Sequence, residues 1–176
     1  VLTSVGRAAG VFYGYETDGV YATQQEAEEA GLTLVSTTGE VTPFAAGDMK
    51  FVDHVQDGII NEKDMVVIGN PNPDVYGNLY SNLSYKRLSL NMNFNYSFGN
   101  DIYNYQRSQL ESGSQFFNQT TALNRRWIAE GHHTDIPKAT FGDPMGNSRF
   151  SDRWIEDGSY LRLRSVTLSY ELPVNS

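Results

Sequence analysis

Twelve consecutive residues, Asp53-His54-Val55-Gln56-Asp57-Gly58-Ile59-Ile60-Asn61-Glu62-Lys63-Asp64, form the densest polar motif in the chain. Read as a calcium-binding loop, Asp53, Asp57, Asn61 and Asp64 stand at the first, fifth, ninth and twelfth positions. Ile59 offers its carbonyl at the seventh, and Gly58 permits the sharp turn at the sixth. A hard cation needs oxygens gathered in this way within one tight turn. Val55 at the third position brings no ligand, and Asp64 reaches less far than a glutamate would. Two readings therefore stand: a calcium site built from Asp53, Asp57, Ile59, Asn61 and Asp64, and a metal-free turn made of the same residues.

Other chemistry is sparse. His132 and His133 are adjacent, and adjacent side chains point apart on most backbones, so an exposed loop pair describes them better than a metal pair. Arg125-Arg126-Trp127 would stack on a sugar or a base, or belong to an amphipathic loop helix with a buried Trp. No phosphate-cradling glycine loop, G-x-S-x-G elbow or H-E-x-x-H pair occurs, which argues against an enzyme.

Composition narrows the field further. The 176 residues contain no cysteine, which removes disulfide scaffolds, thiol nucleophiles and thiolate metal sites. Acidic residues outnumber basic ones by 21 to 13, a net charge of -8 that speaks against a nucleic-acid partner. Aromatic residues make up 12%, chiefly 11 Tyr and 9 Phe, a bias towards β-structure. No apolar run approaches the ~20 residues of a membrane-spanning helix, but a transmembrane β-barrel alternates its residues and escapes that test.

The elements that would position these groups can be read from periodicity. Residues 11–15 read as an aromatic strand, and 23–30 as a short helix with Thr23 and Glu26 as a capping box and Gly31 as its stop. Residues 47–53 read as a short strand that leads into the calcium-loop-like turn 53–64. Asn70-Pro71-Asn72-Pro73 reads as a rigid turn. Between Leu88 and Phe98 every even position is apolar or aromatic and every odd one is Ser or Asn. Val75 to Tyr85 also alternates. Folded back at Lys86-Arg87, the two runs oppose Leu83 to Leu90, Leu79 to Phe94 and Val75 to Phe98 on one face. Asn82 then opposes Asn91, Asn78 opposes Asn95, and Tyr76 opposes Ser97 on the other. Lys-Arg is not a favoured two-residue turn pair, and a loop wider by two residues would leave this pairing unchanged.

That hairpin suits a soluble sandwich or a barrel wall. Its polar face carries Asn and Ser in place of the Lys and Glu usual on a wet sheet, which favours an aqueous lumen, and the second run has the ~9–11 residues that cross a bilayer at a tilt. Residues 101–157 lack strand periodicity apart from a helix expected near 120–130. The last strand, within 158–172, changes phase near Arg164-Ser165, as a bulge would make it do. Tyr96, Phe98, Tyr103, Tyr105, Tyr160 and Tyr170 would form an interfacial girdle in a barrel, or a sugar platform in a lectin.

Three blocks carry a resemblance. They are Gly10-Val11-Phe12-Tyr13-Gly14-Tyr15-Glu16-Thr17-Asp18-Gly19, then Gly47-Asp48 through Asp64 with Ile68-Gly69-Asn70-Pro71-Asn72-Pro73-Asp74, and then Ser151-Asp152-Arg153-Trp154-Ile155-Glu156-Asp157-Gly158-Ser159-Tyr160-Leu161-Arg162-Leu163. In this order and spacing they resemble the C-terminal part of SusC/RagA-family TonB-dependent outer-membrane transporters, over nearly the whole chain. Val55, Gln56 and Asn61 depart from the residues usual in that family's loop.

The resemblance implies an all-β fold: antiparallel strands forming part of a large transmembrane β-barrel, with long extracellular loops containing short helices. On that reading residues 1–73 are mainly an extracellular loop region, 74–98 a transmembrane hairpin, 99–157 a long loop and 158–172 a strand. The plug, the TonB box and the final strands have no counterpart in this stretch. The whole protein would import oligosaccharides or peptides across the Gram-negative outer membrane, capped by a SusD-like surface lipoprotein and energised by the TonB complex. The alternative is a secreted soluble β-domain that binds glycans, with calcium at Asp53, Asp57 and Asp64.

Overall fold

The computed structural model describes residues 5–35 and 39–173; positions 1–4 and 36–38 of the expected loop region lie outside them. In chain order the strands and helices are β1 (Phe12–Gly14), β2 (Thr17–Val20), α1 (Gln24–Ala30), β3 (Thr33–Val35), β4 (Val41–Pro43), β5 (Met49–Phe51), β6 (Ile59–Ile60), β7 (Val66–Gly69), β8 (Val75–Tyr85), β9 (Leu88–Phe98), β10 (Asp101–Tyr103), α2 (Tyr105–Leu110), β11 (Ile155–Asp157) and β12 (Tyr160–Tyr170). Among the described residues no helix is long and apolar enough to cross a membrane.

Two parts of different character result. One is a three-stranded antiparallel sheet in the order β12-β9-β8, each strand 11 residues long. The other gathers the remaining strands into four small sheets, β1-β7, β2-β5, β4-β3-β6 and β10-β11.

All the buried hydrophobic residues belong to the second part. Tyr15, Tyr21, Ala27, Phe44, Met49, Phe51, Ile60 and Met145 form its core, and Trp154 is fully enclosed nearby. Aromatic edges fill this core, with Tyr15 meeting Phe51 at 5.7 Å and Phe44 meeting Phe51 at 6.0 Å. Within the sheet only Ser97 is buried, and the apolar side chains of its three strands stay exposed or half-buried among the described residues.

Helix α1 follows the sequence signals. Thr23 Oγ1 accepts from the Glu26 N–H at 3.2 Å, and Gly31 ends the helix at φ 62° with its N–H on the Ala27 carbonyl. The Glu26 carboxylate reaches one residue further back than a capping box requires, accepting from the Ala22 N–H at 2.9 Å. The helix expected over 120–130 is reduced to a single 3-10 turn, Thr121–Arg125. Trp127 donates its backbone N–H to the Ile136 carbonyl, and its indole Nε1 donates to the Ala22 carbonyl at 3.0 Å. These tertiary bonds outweigh the weak preference of a short isolated helix.

Distant segments are tied together by a few polar residues. Asn147 Oδ1 accepts from the Met49 N–H at 2.8 Å, its Nδ2 donates to Asp48 at 2.9 Å, and the Lys138 ammonium lies 3.1 Å from the same buried carboxylate. At the end of the sheet, the Asn70 N–H donates to the Asp101 carboxylate and the Asp101 N–H to the Asn70 carbonyl. The loop unit therefore sits where β8 begins, β9 ends and β12 begins, and the Lys86-Arg87 turn marks the opposite end.

Candidate wall sheet and calcium-loop-like turn

The β8–β9 hairpin has the register that alternation demands. Leu83 opposes Leu90, Leu79 opposes Phe94 and Val75 opposes Phe98, while Asn82 opposes Asn91, Asn78 opposes Asn95 and Tyr76 opposes Ser97. Tyr85 pairs with Leu88, so the turn is the tight two-residue form and the wider loop is not used. It places Lys86 at φ 55°, a conformation in which hairpin turns match the twist of their strands.

Strand β12 continues the same two faces across β9. Leu161 opposes Tyr96 and Leu163 opposes Phe94; the register then slips by one residue, and Val166 opposes Met92, Leu168 opposes Leu90 and Tyr170 opposes Leu88. Arg164 is the extra residue. The bulge converts an apparent phase change in the sequence into one continuous apolar surface.

On that surface Leu79, Leu83, Leu161, Leu163, Val166 and Leu168 are each more than half exposed. Aliphatic side chains and Phe94 occupy its middle, and further aromatic rings stand towards its ends: Tyr96 stacks on Phe98 at 5.8 Å near the loops, and Tyr85 and Tyr170 stand at the turn. Gly77 opposes Tyr96, whose ring covers the place a Cβ would take. Of the residues expected as a girdle, Tyr96, Phe98 and Tyr170 lie on this face. Tyr160 lies on the polar face opposite Ser97, and Tyr103 and Tyr105 belong to the loop unit, where Tyr103 meets Phe150 at 5.0 Å.

The polar face is a ladder of amides and hydroxyls. Asn91 Oδ1 accepts from the Tyr80 hydroxyl at 2.8 Å and from Asn82 Nδ2 at 2.6 Å, and Asn78 Nδ2 donates to Asn95 at 3.3 Å. Within the three strands the only charged side chains are Arg162 and Arg164 of β12. At about 3.3 Å per residue an 11-residue strand measures about 36 Å, and tilted by about 45° it rises about 25 Å, the height of a barrel's apolar band.

The segment from Asp53 to Asp64 closes on its own backbone. Asp53 accepts from the Gln56 N–H at 2.6 Å and the Gly58 N–H at 2.8 Å, and Asp57 from the Ile59 N–H at 3.0 Å. Asp64 is fully buried and accepts from Val55 at 3.2 Å and Asn61 at 2.9 Å; Asn61 donates to the Ile59 carbonyl at 3.1 Å. Asp53, Asp57 and Asp64 thus each accept from backbone N–H groups, and the Ile59 carbonyl accepts from an amide. Among the described residues no three His, Asp or Glu side chains gather as metal ligands. Burial would raise the Asp53 pKa, but the Gly58 and Gln56 N–H groups outweigh it and hold the carboxyl below its ordinary range.

His132 and His133 line a shallow cavity with Asn124, Arg125 and Asp135. A second cavity, of about 240 Å³, brings together Thr17, Arg107, Asp135, Asp152 and Arg153. Burial, reinforced by the Arg107 charge, lowers the Arg153 pKa to about 10, and its guanidinium stacks on Trp154 at 4.3 Å. Sequence reading missed this cavity because its residues come from five separate segments with no common spacing.

No family profile matches the chain. It is 33% identical over 171 residues to TonB-dependent receptor P26 of Formosa agariphila, covering 97% of the chain, and 34% identical over 168 residues to TonB-dependent receptor P3 of the same organism, covering 96%. The chain spans 16% of the length of each. In fold it is similar to the RagAB peptide transporter, with a TM-score of 0.58 and 24% identity, and to the RagAB peptide importer in its "closed-closed" state, with 0.57 and 22%. Each of these matches covers 93% of the chain and 16% of the solved one. The exposed apolar band, the amide-lined reverse face and the near-complete alignment agree: the chain belongs, as a segment, to the TonB-dependent receptors of the Gram-negative outer membrane.

Proposed function

We propose that β8, β9 and β12 are consecutive wall strands of a TonB-dependent transporter, with the Leu-rich face towards lipid and the Asn/Ser face towards the lumen. The observation that carries this reading is the continuity of both faces across three strands, with the apolar one left exposed among the described residues. Short turns of such barrels face the periplasm and long loops the outside. On this reading Lys86-Arg87 is periplasmic and the loop unit is extracellular.

The cargo is an oligosaccharide or a peptide, the transport is energised by TonB, and a SusD-like surface lipoprotein meets the loop unit. The solved relatives are named as a peptide importer and a peptide transporter, which supports the peptide arm. Phe116 and Phe141 stack at 4.6 Å while 88% and 66% exposed, an apolar pair suited to contact with the lipoprotein or the cargo. The role is carriage, with no chemical step assigned to the chain.

Uptake of labelled oligosaccharide and peptide libraries is measured in cells with and without the intact receptor, alongside affinity capture of the receptor. Loss of uptake of one library and co-capture of a surface lipoprotein are expected. Unchanged uptake of both libraries would reject transport.

A further inference from the structure

The turn end of the sheet has a second character beyond its place in the wall. Tyr85 pairs with Leu88 and Leu88 with Tyr170, so these three side chains form one row across the apolar face. With Lys86 and Arg87 they line an open cavity of about 350 Å³. A second cavity, of about 260 Å³, shares Tyr85 and Leu88 and continues along the same face past Leu83 and Leu90. A polar-tipped notch thus opens into an apolar trough.

Among the described residues no ion pair ties down the cations at the notch. Lys86 Nζ lies 5.3 Å from the Tyr85 ring, and among the described residues neither Lys86 nor Arg87 makes an ion pair. Glu171, the nearest acidic residue in the register, donates its backbone N–H to the Arg87 carbonyl at 2.9 Å. In a chain of net charge -8, two adjacent cations beside two tyrosines are a local feature.

Resting on the wall reading above, we propose that this row binds one anionic phospholipid of the periplasm-facing leaflet. Its phosphate lies at Lys86 and Arg87 and an acyl chain lies in the trough over Leu88, Leu83 and Leu90. A guanidinium matches two phosphate oxygens, an ammonium adds a point charge, and long cationic side chains at an apolar boundary direct their heads to the headgroup layer. Tyrosine rings suit that boundary because an apolar body ends in a hydroxyl donor.

The test uses the intact receptor in non-ionic detergent, titrated with phosphatidylglycerol and read by native mass spectrometry. Diacylglycerol of the same chains and inorganic phosphate are the other probes. One retained phosphatidylglycerol is expected, held about tenfold more weakly by the Lys86→Gln, Arg87→Gln double variant. Equal retention in wild type and double variant would overturn the proposal. So would equal retention of diacylglycerol, which means apolar contact only, or displacement of the lipid by inorganic phosphate, which means a free-anion site.

Folding of each variant is read from its heat-modifiable migration in gels. Should the double variant not assemble, Lys86→Arg with Arg87→Lys keeps the charge and retains the lipid, whereas Tyr170→Ala weakens it; the reverse order would reject the site. Phe94→Arg, near mid-strand and outside both cavities, separates the two readings. If it blocks assembly while the double variant keeps its lipid, only this site fails; if it assembles normally, the wall reading fails.

Discussion

Leu163 and Val166 are three residues apart and stand on the same face of the sheet. Leu163 opposes Phe94 and Val166 opposes Met92, two residues apart on β9, because Arg164 is accommodated as a bulge. Were Arg164 held in the regular alternation instead of bulging, the second half of β12 would present Ser and Thr to the side where the first half presents Leu.

Deleting Arg164 should therefore be tolerated, since it removes the bulge and leaves every other pair in place. Deleting Asn93 from β9 should abolish assembly of the intact receptor, because it exchanges the two faces over half of the central strand. The heat-modifiable fraction of outer-membrane receptor distinguishes the two. Equal behaviour of both deletions would argue against a wall in which the faces matter.

Phe94 lies near the centre of the apolar face, between Leu79 and Leu163. Phe94→Arg should cost about 2–4 kcal/mol of barrel stability at the bilayer midplane. Asn91→Thr, on the opposite face, should leave assembly intact and alter permeation. Folding titrations in lipid vesicles measure the difference.

The Asp53–Asp64 turn gives a signed pH dependence. The Asp53 carboxyl is held below its ordinary range in the folded loop, so its contribution is complete above the unfolded value of about 3.9 and is lost as pH falls through the lower, folded one. Proteolysis of the loop should accelerate only on the acid side of pH 4, and Asp53→Asn should blunt that acceleration. Asp64→Ala leaves the Val55 and Asn61 N–H groups without their acceptor and should cost about 1–3 kcal/mol. Calcium should not shift loop stability. A shift that disappears in Asp57→Asn would instead assign an ion to the turn.

Gly47 joins the two halves of the loop unit. At φ 81° it has no room for a Cβ, which would lie 2.5 Å from Trp127, and it donates to the Tyr21 carbonyl while accepting from the Lys138 N–H. Gly47→Ala should destabilise the loop unit by about 1–3 kcal/mol, from backbone strain and the displaced indole. Trp127 fluorescence during denaturation reports it, with the wall sheet unaffected.

The wall hairpin could be read from residues alone because a period of two is a local property: each residue of Val75–Phe98 declares its face, and two alternating runs with opposite faces admit one register. Helix α1 was legible for the same reason, since Thr23 and Gly31 act within one turn of it. Family membership was legible because its motif blocks are contiguous in sequence. What the tertiary structure decided involves residues that are distant in sequence. The Arg107–Asp135–Arg153 cavity, the replacement of the expected 120–130 helix by a 3-10 turn, and the lodging of Trp127 against Gly47 all depend on segments up to a hundred residues apart. The turn of Asp53–Asp64 lies between these cases: the sequence supplied its oxygens, and the folded backbone determined which N–H groups they accept from.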